Sequence, residues 1–236
     1  GYSTIIKPIN IEEELRDTGL EAVLTARKIL IAQNGGSALL YISDSDRDIA
    51  VQVVDWLVSR EWCGTILASE RLGDIEGTIP SSAVSYDGPR CPDLTISFKW
   101  NSERNAEGYM GKVYSTGGES GLGQHGSMSR HEMNNTLICQ GTRFRGGERI
   151  LSPSGNIDIM PTILELLDVP PPDSITGRVL RESFVGSDPE VLSNTTEHKA
   201  STMSDLGLYS QRIVVSNIGN SIYLDEGNSR HELRGE

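Results

Sequence analysis

Histidine and cysteine are scarce in this chain, at 4 and 3 of 236 residues. Cys63, Cys91 and Cys139 stand far apart, which excludes a CxxC metal knuckle and a dense disulfide framework and leaves all three as small buried side chains. Basic charge is also short: 21 Lys and Arg face 33 Asp and Glu, a net charge of −12, with no local basic patch. Such a surface repels nucleic-acid phosphates, so no nucleic-acid polymer is expected as a partner. No run is long and apolar enough to cross a bilayer as a helix, so no membrane span is expected. Neither a GxSxG elbow nor a GxxxxGK(S/T) loop occurs, which removes support for a serine-hydrolase nucleophile and for a P-loop. The opening Gly1-Tyr2-Ser3-Thr4-Ile5-Ile6 has no methionine and none of the regions of a signal peptide, so the natural N-terminus is expected elsewhere.

What remains is a composition that fills a core, with 36% hydrophobic residues, and a length that fits one compact unit. Asn10 caps a predicted surface helix over 11–17, with Glu12, Glu13 and Glu14 in its first turn and Gly19 as its stop. Residues 22–31 and 37–42 read as two antiparallel strands around Asn34-Gly35. From Asp46, a second N-cap, Ile49, Val53, Trp56 and Leu57 recur at helical spacing. Strands are predicted at 65–68, 94–100 and 136–139, and loop chemistry at 71–90. Residues 101–130, with seven glycines, read as the least regular stretch. Asp158, Pro161 and the aliphatics Ile163, Leu164, Leu166 and Leu167 signal a last helix, stopped by Pro170-Pro171-Pro172. A polar segment to about 205 precedes a terminal hairpin of 211–216 and 221–225 around Ile218-Gly219-Asn220. Strands interleaved with helices predict an α/β or mixed-sheet fold with a hairpin-rich lobe near the N-terminus.

Among residues that carry chemistry, His125 stands out in Gly121-Leu122-Gly123-Gln124-His125-Gly126-Ser127, where glycines bend the backbone and leave the imidazole unobstructed. A metal ligand and an ordinary surface-loop histidine are both open readings. His131 and Glu132 come closely enough after it for a His/His/Glu zinc site, at a spacing that matches no standard motif. His198 and His231 lie in polar surroundings and read as solvent-exposed.

Taken as a set, these residues resemble a known family. Gly123-Gln124-His125-Gly126-Ser127, with the later run from Glu132 through Thr136-Leu137-Ile138-Cys139-Gln140-Gly141-Thr142-Arg143-Phe144, is similar to the C-terminal metal-binding segment of type I phosphodiesterase/nucleotide pyrophosphatase enzymes in the alkaline phosphatase superfamily. Thr142 stands where the family's Gly-Pro-x-Phe turn has proline. Asp158-Ile159-Met160-Pro161-Thr162-Ile163-Leu164-Glu165-Leu166-Leu167, with Gly177-Arg178-Val179-Leu180, looks like a helix and loop that the superfamily shares with sulfatases. Gly1-Tyr2-Ser3-Thr4-Ile5 is similar to the stretch immediately C-terminal to the family's Asp-His metal pair.

The resemblance implies that residues 1–236 are the C-terminal portion of one alkaline-phosphatase-like domain, an α/β/α sandwich with a hairpin-rich, irregular insertion at about 71–121 bordering the site. It implies two divalent metals, usually zinc, a threonine or serine nucleophile, and a small phosphate-ester substrate. In that pattern His125 is the last protein ligand of one metal, while the nucleophile and the other ligands precede Gly1. The partner of this chain is then the missing N-terminal half of the same protein, and the fragment alone is inactive. A non-catalytic binding scaffold, or a sulfatase or phosphonate hydrolase of the same superfamily, stands as the alternative. Asn134-Asn135-Thr136 and Asn194-Thr195-Thr196 match glycosylation sequons and many relatives are exported; the sequence leaves the compartment open between secreted, periplasmic and other fates.

Overall fold

The computed structural model describes residues 1–16 and 18–233. The chain is mixed α/β. In order it forms β1 (Ser3–Pro8), α1 (Ile11–Arg16), α2 (Glu21–Thr25), β2 (Ile29–Asn34), β3 (Ser37–Ile42), α3 (Arg47–Leu57), β4 (Cys63–Ala68), β5 (Ile79–Pro80), β6 (Leu94–Phe98), β7 (Trp100–Arg104), β8 (Met110–Ser115), β9 (Gly123–Gln124), α4 (Arg130–Met133), α5 (Ile159–Leu166), β10 (Asn194–Ser204), β11 (Gly207–Ile218) and β12 (Ser221–Leu233). The strands make three sheets, ordered β2-β3-β6-β4-β5, β7-β8-β1-β9 and β10-β11-β12. Two compact units result: the first holds Gly1–Asn135, Glu197–Val214 and the chain from Leu224 on, the second Thr136–Thr196 and Val215–Tyr223.

The first unit is built on continuous apolar strands. Every residue of β4 and β6 is buried, as expected for strands covered on both faces. Helix α3 buries Ile49, Ala50, Val53, Val54, Trp56 and Leu57 in the same core, and the Asp46 side chain accepts from Asp48 N at 3.0 Å and Ile49 N at 3.3 Å, a cap whose usual contribution is about 1 kcal/mol. Between Cys63 and Thr65 a bulge brings Gly64 against β6, where an added Cβ would collide with Ser97 O.

Several sequence expectations are corrected. Residues 22–31 are a turn of helix and then a strand, because Arg27 takes a left-handed φ of 53° and ends α2 before β2 begins. Helix α1 lies at the surface as expected, with Glu13 and Arg16 exposed, and buries one face through Ile11 and Leu15; the end expected for it at Asp17 lies outside the described residues. The stretch 101–130 is organised: β8 pairs in parallel with β1 and β9 pairs antiparallel with it, and Gly111, Gly118 and Gly126 lie where an added Cβ would meet a neighbour closer than 3 Å. The insertion at 71–121 likewise contains β5 to β8. Thr136-Leu137-Ile138-Cys139 is not a buried strand; Leu137 is 47% and Ile138 85% exposed, and no strand among the described residues supplies the ladder partner that four residues need. Only Cys63 of the three cysteines is buried, and Cys139 is exposed.

Candidate functional site

The site begins with register. Ser3 of β1 lies opposite Gln124 of β9 and Thr4 opposite Gly123, so the residues just before β1 run alongside the residue just after β9. Tyr2 thereby meets His125 edge to face, ring centroids 5.4 Å apart at 87°. Gly1 N donates to Asn135 Oδ1. Gly1, Tyr2, His125, Ser127, Glu132 and Asn135 line an open depression of about 360 Å³.

His125 is exposed, and among the described residues its imidazole has no hydrogen-bond partner. Its backbone, in contrast, is held on both sides. Gly36 N donates to His125 O at 3.0 Å, and Gly126, at φ 104°, comes so close to the β2–β3 turn that an added Cβ would lie 2.6 Å from Asn34 O. The flanking glycine is therefore a packing requirement. On the other side stands Glu132, only 4% exposed, whose carboxylate accepts from Ser127 N at 2.8 Å, Ser127 Oγ at 2.7 Å and Gln124 Nε2 at 3.4 Å. One buried carboxylate thus ties the residues before and after His125 and fixes where the imidazole emerges.

That arrangement dissolves the His125/His131/Glu132 triad. Glu132 is occupied within the loop, and the His131 ring is engaged with Ser102 Oγ at 3.0 Å and edge-on with Trp100. No group of three His, Cys, Asp or Glu that could hold a metal exists among the described residues. His231 is not solvent-exposed: its Nε2 meets Val58 O at 2.8 Å and its ring lies against Tyr209. His198 is half-buried in β10.

Cys63 is chemically quiet. Burial pushes its thiol from 9.0 up to about 12, with Tyr209 and Lys99 offsetting only part of that. Because the raised group is neutral when protonated, the unfolded chain releases this proton before the folded one does. Stability is full below pH 9 and declines as pH rises toward 12. The urea midpoint should accordingly fall between about pH 8 and about pH 10, and fall less in Cys63→Ala. An equal pH slope in the two proteins would contradict this assignment.

In the second unit, the segment of Asp158 and Gly177-Arg178 is a structural clamp. Asp158, fully buried, accepts from Gly155 N and Arg178 N, both at 2.8 Å, and from the Tyr223 hydroxyl at 3.2 Å. The Arg178 guanidinium forks onto Glu182 at 2.9 and 2.6 Å. An added Cβ on Gly177 would collide with Ile157 O, so only glycine fits there. Sequence reading did not foresee the roles of Tyr2, Glu132 or Glu182; Arg178 lies outside any helix, so its spacing to Glu182 carried no signal.

Fold and site define a mixed α/β chain that presents one exposed histidine, His125, on a backbone held from both sides, its imidazole without a hydrogen-bond partner among the described residues. Comparison with family models, curated proteins and solved structures found no match.

Proposed function

We propose that this chain is the C-terminal part of a metal-dependent phosphohydrolase that cleaves phosphodiester or phosphoanhydride bonds, with His125 donating one imidazole nitrogen to a metal. The single observation that carries the reading is the convergence of Tyr2 and His125 on one depression, set by the β1–β9 register. A segment entering β1 arrives beside His125, and in the resembled family that segment ends in an Asp-His metal pair. The alkaline-phosphatase-like sandwich is part of the same proposal.

The donor set agrees with a shared site. An exposed imidazole without a hydrogen-bond partner fits one ligand position, whereas catalytic zinc takes about three protein ligands and the described residues hold no group of three His, Cys, Asp or Glu. The remaining ligands and the nucleophile are assigned to the N-terminal half. Two bound divalent cations, zinc in this reading, would activate a hydroxyl and neutralise phosphoryl oxygens. The work of this chain is positional: Glu132 pins Gln124 and Ser127, Gly126 sits against the β2–β3 turn, and the imidazole is presented in one place.

The test compares zinc content and p-nitrophenyl phosphodiester hydrolysis for residues 1–236 and for the chain extended upstream. Metal binding and turnover in the extended protein alone support the proposal. An extended protein that binds no metal overturns it in favour of a non-catalytic scaffold, and preference for sulfate esters or phosphonates would move the substrate class within the superfamily.

A further inference from the structure

Strand β10 is an edge strand of the three-stranded sheet, paired with β11. It is 11 residues long and contains no proline. Long edges with free backbone groups on one side are templates for pairing with another chain, and proteins usually blunt them with proline, bulges or repelling charge. Here the charges are arranged otherwise. Around His198 the sequence reads Thr196-Glu197-His198-Lys199-Ala200, with one acid and one base placed symmetrically.

We infer that β10 is a self-association edge, at which two copies of this chain pair antiparallel about a two-fold axis through His198. In that register Glu197 stands directly opposite the partner's Lys199 and Lys199 opposite the partner's Glu197. Thr196 faces the partner's Ala200. Both charge pairs lie on one face of the ribbon, since residues two apart in a strand point the same way. Within one copy the same face is already ordered: Lys199 Nζ lies 2.6 Å and Arg212 Nη1 2.9 Å from the Glu197 carboxylate. Lys199 first, and Arg212 second, hold that carboxyl below its ordinary range, so it is charged, and in the paired ladder the partner's Lys199 would share it with the cations of its own copy. Any other register loses the match; sliding by two residues sets Lys199 opposite Lys199 or Glu197 opposite Glu197. Like charges directly opposite destabilise a ladder. The net charge of −12 opposes association of two copies as a whole, so the pairing depends on the local charge match at this edge. A closed two-fold pairing also consumes the edge and stops further growth.

Sedimentation equilibrium of residues 1–236 over a wide concentration range, with Lys199→Glu and the exchanged double variant Glu197→Lys/Lys199→Glu, tests the inference. The expected result is a monomer–dimer equilibrium that Lys199→Glu weakens at least about tenfold, because two attractive pairs become two repulsive ones, and that the double variant restores. Amide exchange across β10 should slow as concentration rises. A chain that stays monomeric at every concentration overturns the inference. A dimer indifferent to Lys199→Glu overturns it as well, since the contact would then lie elsewhere.

Discussion

His125→Ala, made in the protein extended upstream of Gly1, is expected to lower phosphodiester turnover by about a thousandfold or more, of the order seen when a group that stabilises transition-state charge is removed. Metal content should fall with it. The fold should not respond. The His125 imidazole is exposed and has no hydrogen-bond partner among the described residues, and the backbone bond from Gly36 N survives the substitution, so no polar group is orphaned. Surface changes of that kind stay within about 0.5 kcal/mol. The combination separates a ligand from a structural histidine: lost metal and lost turnover with an unchanged unfolding midpoint support the ligand. Full metal content and turnover in His125→Ala would remove His125 from the site. His131→Ala supplies the contrast, because its ring packs on Trp100 and bonds Ser102; it should cost stability and leave metal content alone.

The second large effect is structural. Gln211→Leu should destabilise the first unit by about 4 kcal/mol, read as a drop in urea midpoint at unchanged slope. Gln211 reaches from β11 into the core and is only 3% exposed. Its Oε1 accepts from Ile66 N at 2.8 Å, while Nε2 donates to Ile66 O at 3.1 Å and to Gly77 O at 2.5 Å. The side-chain amide serves β4 as the peptide group of a neighbouring strand would, just before β5 takes over the pairing at Leu67 and Ala68. Leucine keeps the volume and strands three buried backbone groups, each worth about 1–3 kcal/mol when left unmet. A loss below about 1 kcal/mol would mean that water or a shifted strand replaces the amide.

Much of the local structure was legible in the residues. Asp46 ahead of apolar residues at helical spacing predicts α3, and Asn34-Gly35 between aliphatic runs predicts the β2–β3 hairpin; both arise from short-range sterics and capping. Strand β10 escaped notice because a threonine-rich polar edge carries little hydrophobic alternation. The error at 136–139 has the opposite cause. An apolar run satisfies the pattern of a strand, yet a strand exists only where another strand offers its backbone.

The same division holds at the candidate site. His125 between glycines was visible as an unobstructed imidazole. That Glu132 belongs to the loop and not to a ligand set was not visible, since at a sequence distance of seven residues a carboxylate beside a histidine fits either role. The amino-acid order by itself determined the Asn10 and Asp46 caps, the Asn34-Gly35 turn and the apolar strands at 65–68 and 94–98, because these depend on neighbours within a few residues; it placed Asp158 as a cap, whereas that carboxylate bonds Gly155 N, Arg178 N and Tyr223 instead. Only tertiary structure decided that β8 and β9 flank β1, that Tyr2 meets His125, and that Gln211 completes β4. Those contacts join residues far apart in the chain, and burial, steric fit and hydrogen-bond satisfaction select them only once the sheets have formed.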